Sequence, residues 1–334
     1  MKKVLFATTA LVMTAGFAAA DVTISGYGRT GVIYYENDDP DVNETQVISR
    51  LRMNLDASTS TDAGVDFGAR FRIQWDQNQD DAGELNAGKL YVTSNGLTVE
   101  VGNAETALDS SGLIYATELG TYDRSVGFSA VTGSYFAYDA DEYGNRIVGE
   151  DGNIGNDGVS RLGIFAKYEF AGAVLMGSMI EPDQSDRVNF PDGQGEKEYS
   201  LAADYTWNDR LELSAAYTQN GAGFDGNDIF FIGARYAVME NARIGLNYID
   251  TNDEDDDEFG GVGQTIALYG DYTLADGLTN FEAYIANNNR DSNETDNAFG
   301  IGVNYDLGGA RLGAALQRDY NENVTADMGV RFNF

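Results

Sequence analysis

The sequence contains no cysteine and no histidine, only 3 prolines, and 21 basic residues against 54 acidic ones. Without cysteine there is no disulfide frame, and a chain of 334 residues is long enough to fold without one. Without histidine the chain lacks the usual base near neutral pH, the serine triad in its common form, and imidazole ligands for a transition metal. Catalysis by carboxylates alone is left, but Asp and Glu are so abundant that any pair of them says little. Ser110 and Ser111 have no histidine partner and no strand–elbow–helix setting. No glycine-rich nucleotide pattern stands between a strand and a helix, so no enzyme is expected. The formal charge of −33 argues against a nucleic-acid surface. Anionic lipopolysaccharide is approachable only through bridging divalent cations. Long apolar runs are missing too, and none reaches the length of about 18 residues that a membrane-crossing helix requires.

What is present begins with Lys2 and Lys3, an apolar run from Val4 to Ala15, and Ala18-Ala19-Ala20 before Asp21. This is a secretory signal with an A-x-A cleavage site. A permanent N-terminal anchor is the rival reading, and the short run without stop-transfer charges counts against it. Residues 1–20 are thus expected to be removed, and loss of the two lysines takes the charge from −33 to −35.

From Asp21 onward, segments of about 10 to 14 residues alternate with a period of two. Phe67, Ala69, Phe71, Ile73 and Trp75 fall on one face, with Asp66, Arg70, Arg72 and Gln74 on the other. Met328, Val330, Phe332 and Phe334 oppose Asp327, Arg331 and Asn333 in the same way. A soluble exported sheet is the bland alternative, but charges at mid-strand on long segments suit a wall that is apolar outside and wet inside. The pattern predicts strands over 22–35, 45–58, 63–76, 84–94, 96–103, 159–170, 172–181, 197–207, 210–219, 228–238, 241–251, 262–274, 278–287, 297–306, 309–319 and 323–334. Short turns such as Ser94-Asn95-Gly96 alternate with long connections such as Asn37 to Glu44, which places both chain ends on the periplasmic side. Tyr34, Tyr35, Trp75, Tyr168, Phe170, Trp207, Tyr217, Tyr248, Tyr305, Phe332 and Phe334 crowd strand ends, as interfacial belts do. The expected fold is all-β: a 16-stranded antiparallel transmembrane β-barrel with a long inward-folded third external loop, in the bacterial outer membrane.

That loop, residues 104–158, has only weak strand-like patches and is too long for an idle connection. Folded inward it would narrow the bore and offer Glu105, Asp109, Glu118 and Asp123. The wall has the opposite sign, with Arg29, Arg50, Arg52, Arg70 and Arg72 in the lumen phase of the first three strands. Lys89, Arg161 and Lys167 extend the basic set, and Glu100 is an acidic member. The pattern admits a constriction with a transverse field, or arginines that only cross-brace the wall. The segment from Asp139 to Gly158 has room to project outward instead. The net acidity predicts mild cation selectivity that salt weakens. The run from Asp253 to Glu258 is a solvated external loop or a divalent-cation site, with Asp253, Asp255 and Asp257 as candidate calcium ligands and no EF-hand spacing.

Three segments carry a resemblance: Asp21-Val22-Thr23-Ile24-Ser25-Gly26-Tyr27-Gly28-Arg29, Leu97-Thr98-Val99-Glu100-Val101-Gly102-Asn103, and Gly329-Val330-Arg331-Phe332-Asn333-Phe334. In these the chain resembles the general diffusion porins of alphaproteobacteria, within the Gram-negative porin superfamily. The resemblance implies a homotrimer, a third loop in the bore with acids facing the basic wall, calcium at loop carboxylates in some members, and no required cofactor. It also implies that Phe334 is read by the barrel-assembly machinery. The expected function is passive diffusion of ions and small hydrophilic solutes. The alternatives are a porin preferring particular substrates, such as sugars or small anionic nutrients, and a structural or adhesive surface barrel with poor conductance.

Overall fold

The computed structural model describes residues 21–37, 43–77, 84–86, 88–125, 147–148, 154–155, 161–184, 190, 195–251 and 263–334. The wall begins with β1 (Asp21–Tyr35), β2 (Thr45–Ser60), β3 (Asp66–Asp76), β4 (Glu84–Leu85 and Lys89–Ser94) and β5 (Leu97–Gly102). After the long insert come β6 (Leu162–Phe170), β7 (Ala173–Glu181), β8 (Glu198–Trp207), β9 (Leu211–Gln219), β10 (Ile229–Met239) and β11 (Ala242–Thr251). The chain ends in β12 (Gln264–Thr273), β13 (Thr279–Asn288), β14 (Asn297–Asp306), β15 (Ala310–Arg318) and β16 (Val324–Asn333). Each strand pairs antiparallel with the next, and β16 pairs back onto β1. At the seam, Gly26 N donates to Phe334 O at 2.8 Å and Phe334 N to Gly26 O at 3.0 Å. Closure leaves no open edge, so the backbone is satisfied without water and can sit in hydrocarbon.

The sixteen expected strands are all found. One of them, 84–94, is split: Ile73 faces Leu85 but Arg70 faces Lys89, so the ladder slips by one residue between the two segments of β4. Such a bulge bends the strand locally. Short connections follow from turn chemistry. Between β4 and β5, Asn95 and Gly96 both have positive φ (49° and 82°), which a tight hairpin of this hand demands. A Cβ on Gly96 would meet Glu169 O at 2.6 Å. Asp21, where the first strand begins, and Phe334 lie at the same end of the barrel as these short turns.

Alternation decides what each face meets. Val22, Leu90, Leu201 and Met328 are 63, 65, 68 and 64% exposed. An apolar belt of that extent would not persist in water, and it is what a lipid-facing wall presents. Inward positions behave in two ways. Along β8 and β12 to β15 exposed and buried residues alternate, with Ser200, Ala202, Thr265, Ala267, Ala286, Ala298 and Ala315 buried. On β2 and β3 the inward side chains are only half-buried. The first group is covered from within, and the second faces open bore. Tyr35 departs from the expected belt: it shares the inward phase of β1 with Arg29 and meets Arg124.

Candidate pore constriction

The cover is the first part of the insert. Residues 104–125 carry Ala104, Ala107, Leu108, Leu113, Ile114 and Leu119 in one apolar cluster with Phe165, Met176, Ala202, Phe231, Tyr269, Tyr284 and Ala315 of the wall. Each fully buried Leu or Ile contributes about 1.5–3 kcal/mol. The backbone is tied to successive strands. Ala107 N donates to Ser178 Oγ of β7 (2.9 Å), Leu108 N to Ser200 Oγ of β8 (3.0 Å), and Gly112 N to Asp204 Oδ2 (3.0 Å). Asn247 of β11 donates to Leu113 O (2.7 Å), and Thr121 N donates to Asp327 Oδ1 of β16 (3.0 Å). Tyr122 OH reaches Ile48 O of β2 at 3.0 Å. These anchors trace the inner wall from β7 round to β2, so this part of the loop folds inward. The remainder of the loop, including Asp139 to Gly158, falls outside the residues whose placement is described here, apart from the backbone pairing of Ile147–Val148 with Ile154–Gly155.

The expected arginines all line β1 to β3, in two arrangements. Arg311, Arg331, Arg29 and Arg50 stand opposite one another in a single register row across β15, β16, β1 and β2, and Asp76 of β3 ends the row. Like charges facing across strands repel, and the row is held by carboxylates at its two ends. Arg50 pairs with Asp76. Asp123 reaches from the loop to pair with Arg311 at 2.8 Å and with Arg331. Arg70, Arg52 and Arg72 are braced within the wall instead. Arg70 Nε donates to Asp56 Oδ1 (2.6 Å), Arg52 Nε to Gln74 Oε1 (2.6 Å), and Arg72 Nε to Asn54 Oδ1 (3.3 Å). Tyr27 lies between two guanidinium groups, Arg331 at 4.4 Å and Arg52 at 5.3 Å from the ring centre.

The loop acids divide as well. Glu105 Oε1 is 3.4 Å from Lys89 Nζ, which also holds Glu100 at 2.8 Å. Asp109 accepts from Tyr115 OH. Burial raises the pKa of Asp109, against that hydrogen bond and the attraction of Arg72. Burial pushes Glu118 up to about 7, opposed chiefly by Arg331 and then by Arg29. These two carboxyls are therefore in electrostatic reach of the arginine wall, while Asp123 touches it. Lys167 pairs with Glu169 at 2.7 Å, and Arg161 stands just before β6. Phe334 closes the seam and packs on Phe332, with ring centres 6.4 Å apart. The run containing Asp253, Asp255 and Asp257, and residues 1–20, fall outside the described residues.

Arg311, Arg331, Tyr122 and Arg124 were not among the residues expected at this site. The period-two phase marks Arg331 as inward, but nothing local marks it as a neighbour of Arg29. That neighbourhood exists only because the ring closes.

A family model for Gram-negative porins matches residues 7–326. A porin of Fuscovulum blasticum is 35% identical over 316 residues, spanning 94% of this chain and 100% of the relative. Two solved mutants of the Rhodopseudomonas blastica porin are each 34% identical, with a TM-score of 0.80, covering 94% of this chain and 100% of theirs. Sixteen paired strands with a lipid-facing belt and a charged interior agree with that likeness along the whole barrel. The chain belongs to the Gram-negative porin family and is an outer-membrane channel that crosses the membrane with the strands of its β-barrel.

Proposed function

We propose that the channel passes ions and small hydrophilic solutes by diffusion, and that residues 104–125 and the arginine wall form its selective constriction, with a mild preference for cations. The observation that carries this reading is the arginine row, Arg311, Arg331, Arg29 and Arg50, with Asp123 of the loop paired to its first two members and Glu118 in electrostatic reach of Arg331 and Arg29. Opposed charges across a wet gap make a transverse field in which polar solutes reorient, whereas apolar ones must displace ordered water. The braced residues Arg52, Arg70 and Arg72 stiffen the wall and set the same sign of potential. The overall charge of −33 supports cation preference, because acidic vestibules enrich cations at low salt.

The remaining parts of the reading rest on sequence. Residues 1–20 are a cleaved signal, and the mature chain starts at Asp21. The barrels assemble as trimers, Phe334 serves as the assembly signal, and lipopolysaccharide contacts run through divalent cations. Calcium binds the external acidic run at Asp253, Asp255 and Asp257. Planar-bilayer recording of the purified protein in a KCl gradient tests the core of the proposal. The expected result is an open pore closing in three equal steps, with a reversal potential on the potassium side. Absence of conductance leaves a structural or adhesive surface barrel, and a chloride-side potential overturns the cation preference. A liposome-swelling series graded by size separates a general sieve from a substrate-preferring pore.

A further inference from the structure

Beside the constriction, the loop and the wall enclose a cavity of about 340 Å³, lined by Arg29, Ile48, Arg50, Asp76, Tyr122 and Arg124 among others. Its charges do not balance. Arg50 is matched by Asp76, but Arg29 and Arg124 make no direct ion pair among the described residues; Asp327 acts on both, and Glu118 on Arg29, only at longer range. Arg29 spends Nη1 on the carbonyl of Tyr122 at 2.8 Å, and its Nε is buried without a hydrogen-bond partner. Arg124 gives Nη1 to Tyr35 OH and lays its guanidinium over that ring at 5.0 Å. Elsewhere on the wall several arginines have their own acid, Arg70 with Asp56, Arg235 with Glu212 and Arg243 with Asp271 at 2.9 Å, whereas Arg52 and Arg72 are held by the side-chain amides of Gln74 and Asn54. The lining of the cavity thus sets three guanidinium groups against one carboxylate, with Asp327 and Glu118 outside it, in a chain whose overall charge is strongly negative.

A guanidinium presents several N–H donors in a plane and accepts nothing. Tyr122 and Tyr35 also fix the two unpaired groups in place, so less rotamer freedom is lost on binding. Water can satisfy such donors, but an oxyanion satisfies donors and charge together, with shorter and stronger hydrogen bonds. We propose that this niche is a binding subsite for a small oxyanion, a phosphate or a carboxylate, held by Arg29, Arg50 and Arg124 at the side of the conduction path. It rests on the reading that Arg29 and Arg50 border the open bore. An occupant cancels the local positive charge, so its arrival makes the constriction more cation-preferring.

The test is reversal potential in a KCl gradient at constant ionic strength while inorganic phosphate is titrated, with a second series in succinate. The expected result is a displacement toward the potassium potential that saturates, in phosphate, succinate or both. The series that saturates identifies the anion. Arg29→Gln and Arg124→Gln are each expected to weaken the half-saturating concentration at least about tenfold, the effect of losing roughly 1.4 kcal/mol. Arg210→Gln, at the exposed turn after β8, leaves it unchanged. A displacement that never saturates in either series, or one equal in the two niche variants and the parent, overturns the subsite. Isothermal titration of the folded parent protein with phosphate and with succinate reads the niche without any variant, and absence of saturable heat in both is a refutation. A pore that fails to conduct in KCl refutes the constriction instead, and the calorimetry still reports on the niche.

Discussion

Asp123 holds two guanidinium groups that otherwise face like charge across β15 and β16. Replacing it with asparagine keeps the shape and leaves Arg311 and Arg331 without a carboxylate. Asp123→Asn is therefore expected to shift the reversal potential toward the anion side, while the partly exposed ion pairs lose only about 1 kcal/mol each of loop anchoring. A shift toward cations would contradict the assignment. Glu118 gives a pH dependence with a defined sign. With its pKa near 7, the carboxyl is largely neutral at pH 6 and largely ionised at pH 8. Raising the pH across that window adds negative charge to the loop edge, so cation preference is expected to rise. Glu118→Gln should flatten that part of the curve, and a pH response that survives unchanged assigns it to another group. Glu118 and Asp123 both stood out in the sequence as loop acids. Their partners did not, because Arg331 lies more than 200 positions away along the chain.

Residues 104–125 of the insert form an element without a helix or a strand that is nevertheless fixed. Its apolar side chains pack under the covered half of the wall, and its backbone donors find Ser178, Ser200 and Asp204. Leu108 and Ile114 are fully buried there. Leu108→Ala and Ile114→Ala are each expected to cost about 2–5 kcal/mol of local packing. Because the ring of strands closes without this loop, the loss should appear as higher conductance and entry of larger solutes in liposome swelling, with the β-sheet circular dichroism unchanged. Unaltered solute cut-off in both variants would mean that the loop does not set the bore. The strands themselves were legible nearly to the residue: Asn297–Asp306 and Asp21–Tyr35 follow directly from alternation and turn residues. The break in β4 was not, because a bulge is a relation between two strands and 84–94 keeps its alternation on paper. The loop's course was equally hidden, since Leu108 and Ile114 have no periodicity to name the wall residues they cover.

At the scale of the molecule, a lumen of mixed sign sits within an acidic chain. Raising salt from 0.01 M to 1 M shortens the screening length from about 30 Å to about 3 Å. The vestibule's share of the cation preference should therefore fade, leaving the part set by contacts at the constriction. A salt-independent reversal potential, after correction for the gradient, would remove the vestibule from the account. Chelation gives the corresponding test outside the bore: if Asp253, Asp255 and Asp257 hold calcium, EDTA is expected to lower the Tm of the assembled barrel, and an unchanged Tm removes the site. The sequence by itself determined the strand number, the inward and outward faces and the sign of the wall, because period-two alternation and turn chemistry act over a few neighbouring residues. Only the tertiary structure decided that Arg311 and Arg331 join Arg29 and Arg50, that Asp123 clasps the first two, and that Tyr122 holds Arg29 beside a niche. Each of these depends on closing a ring and laying a loop across it, and both operations join residues whose separation along the chain carries no local signal.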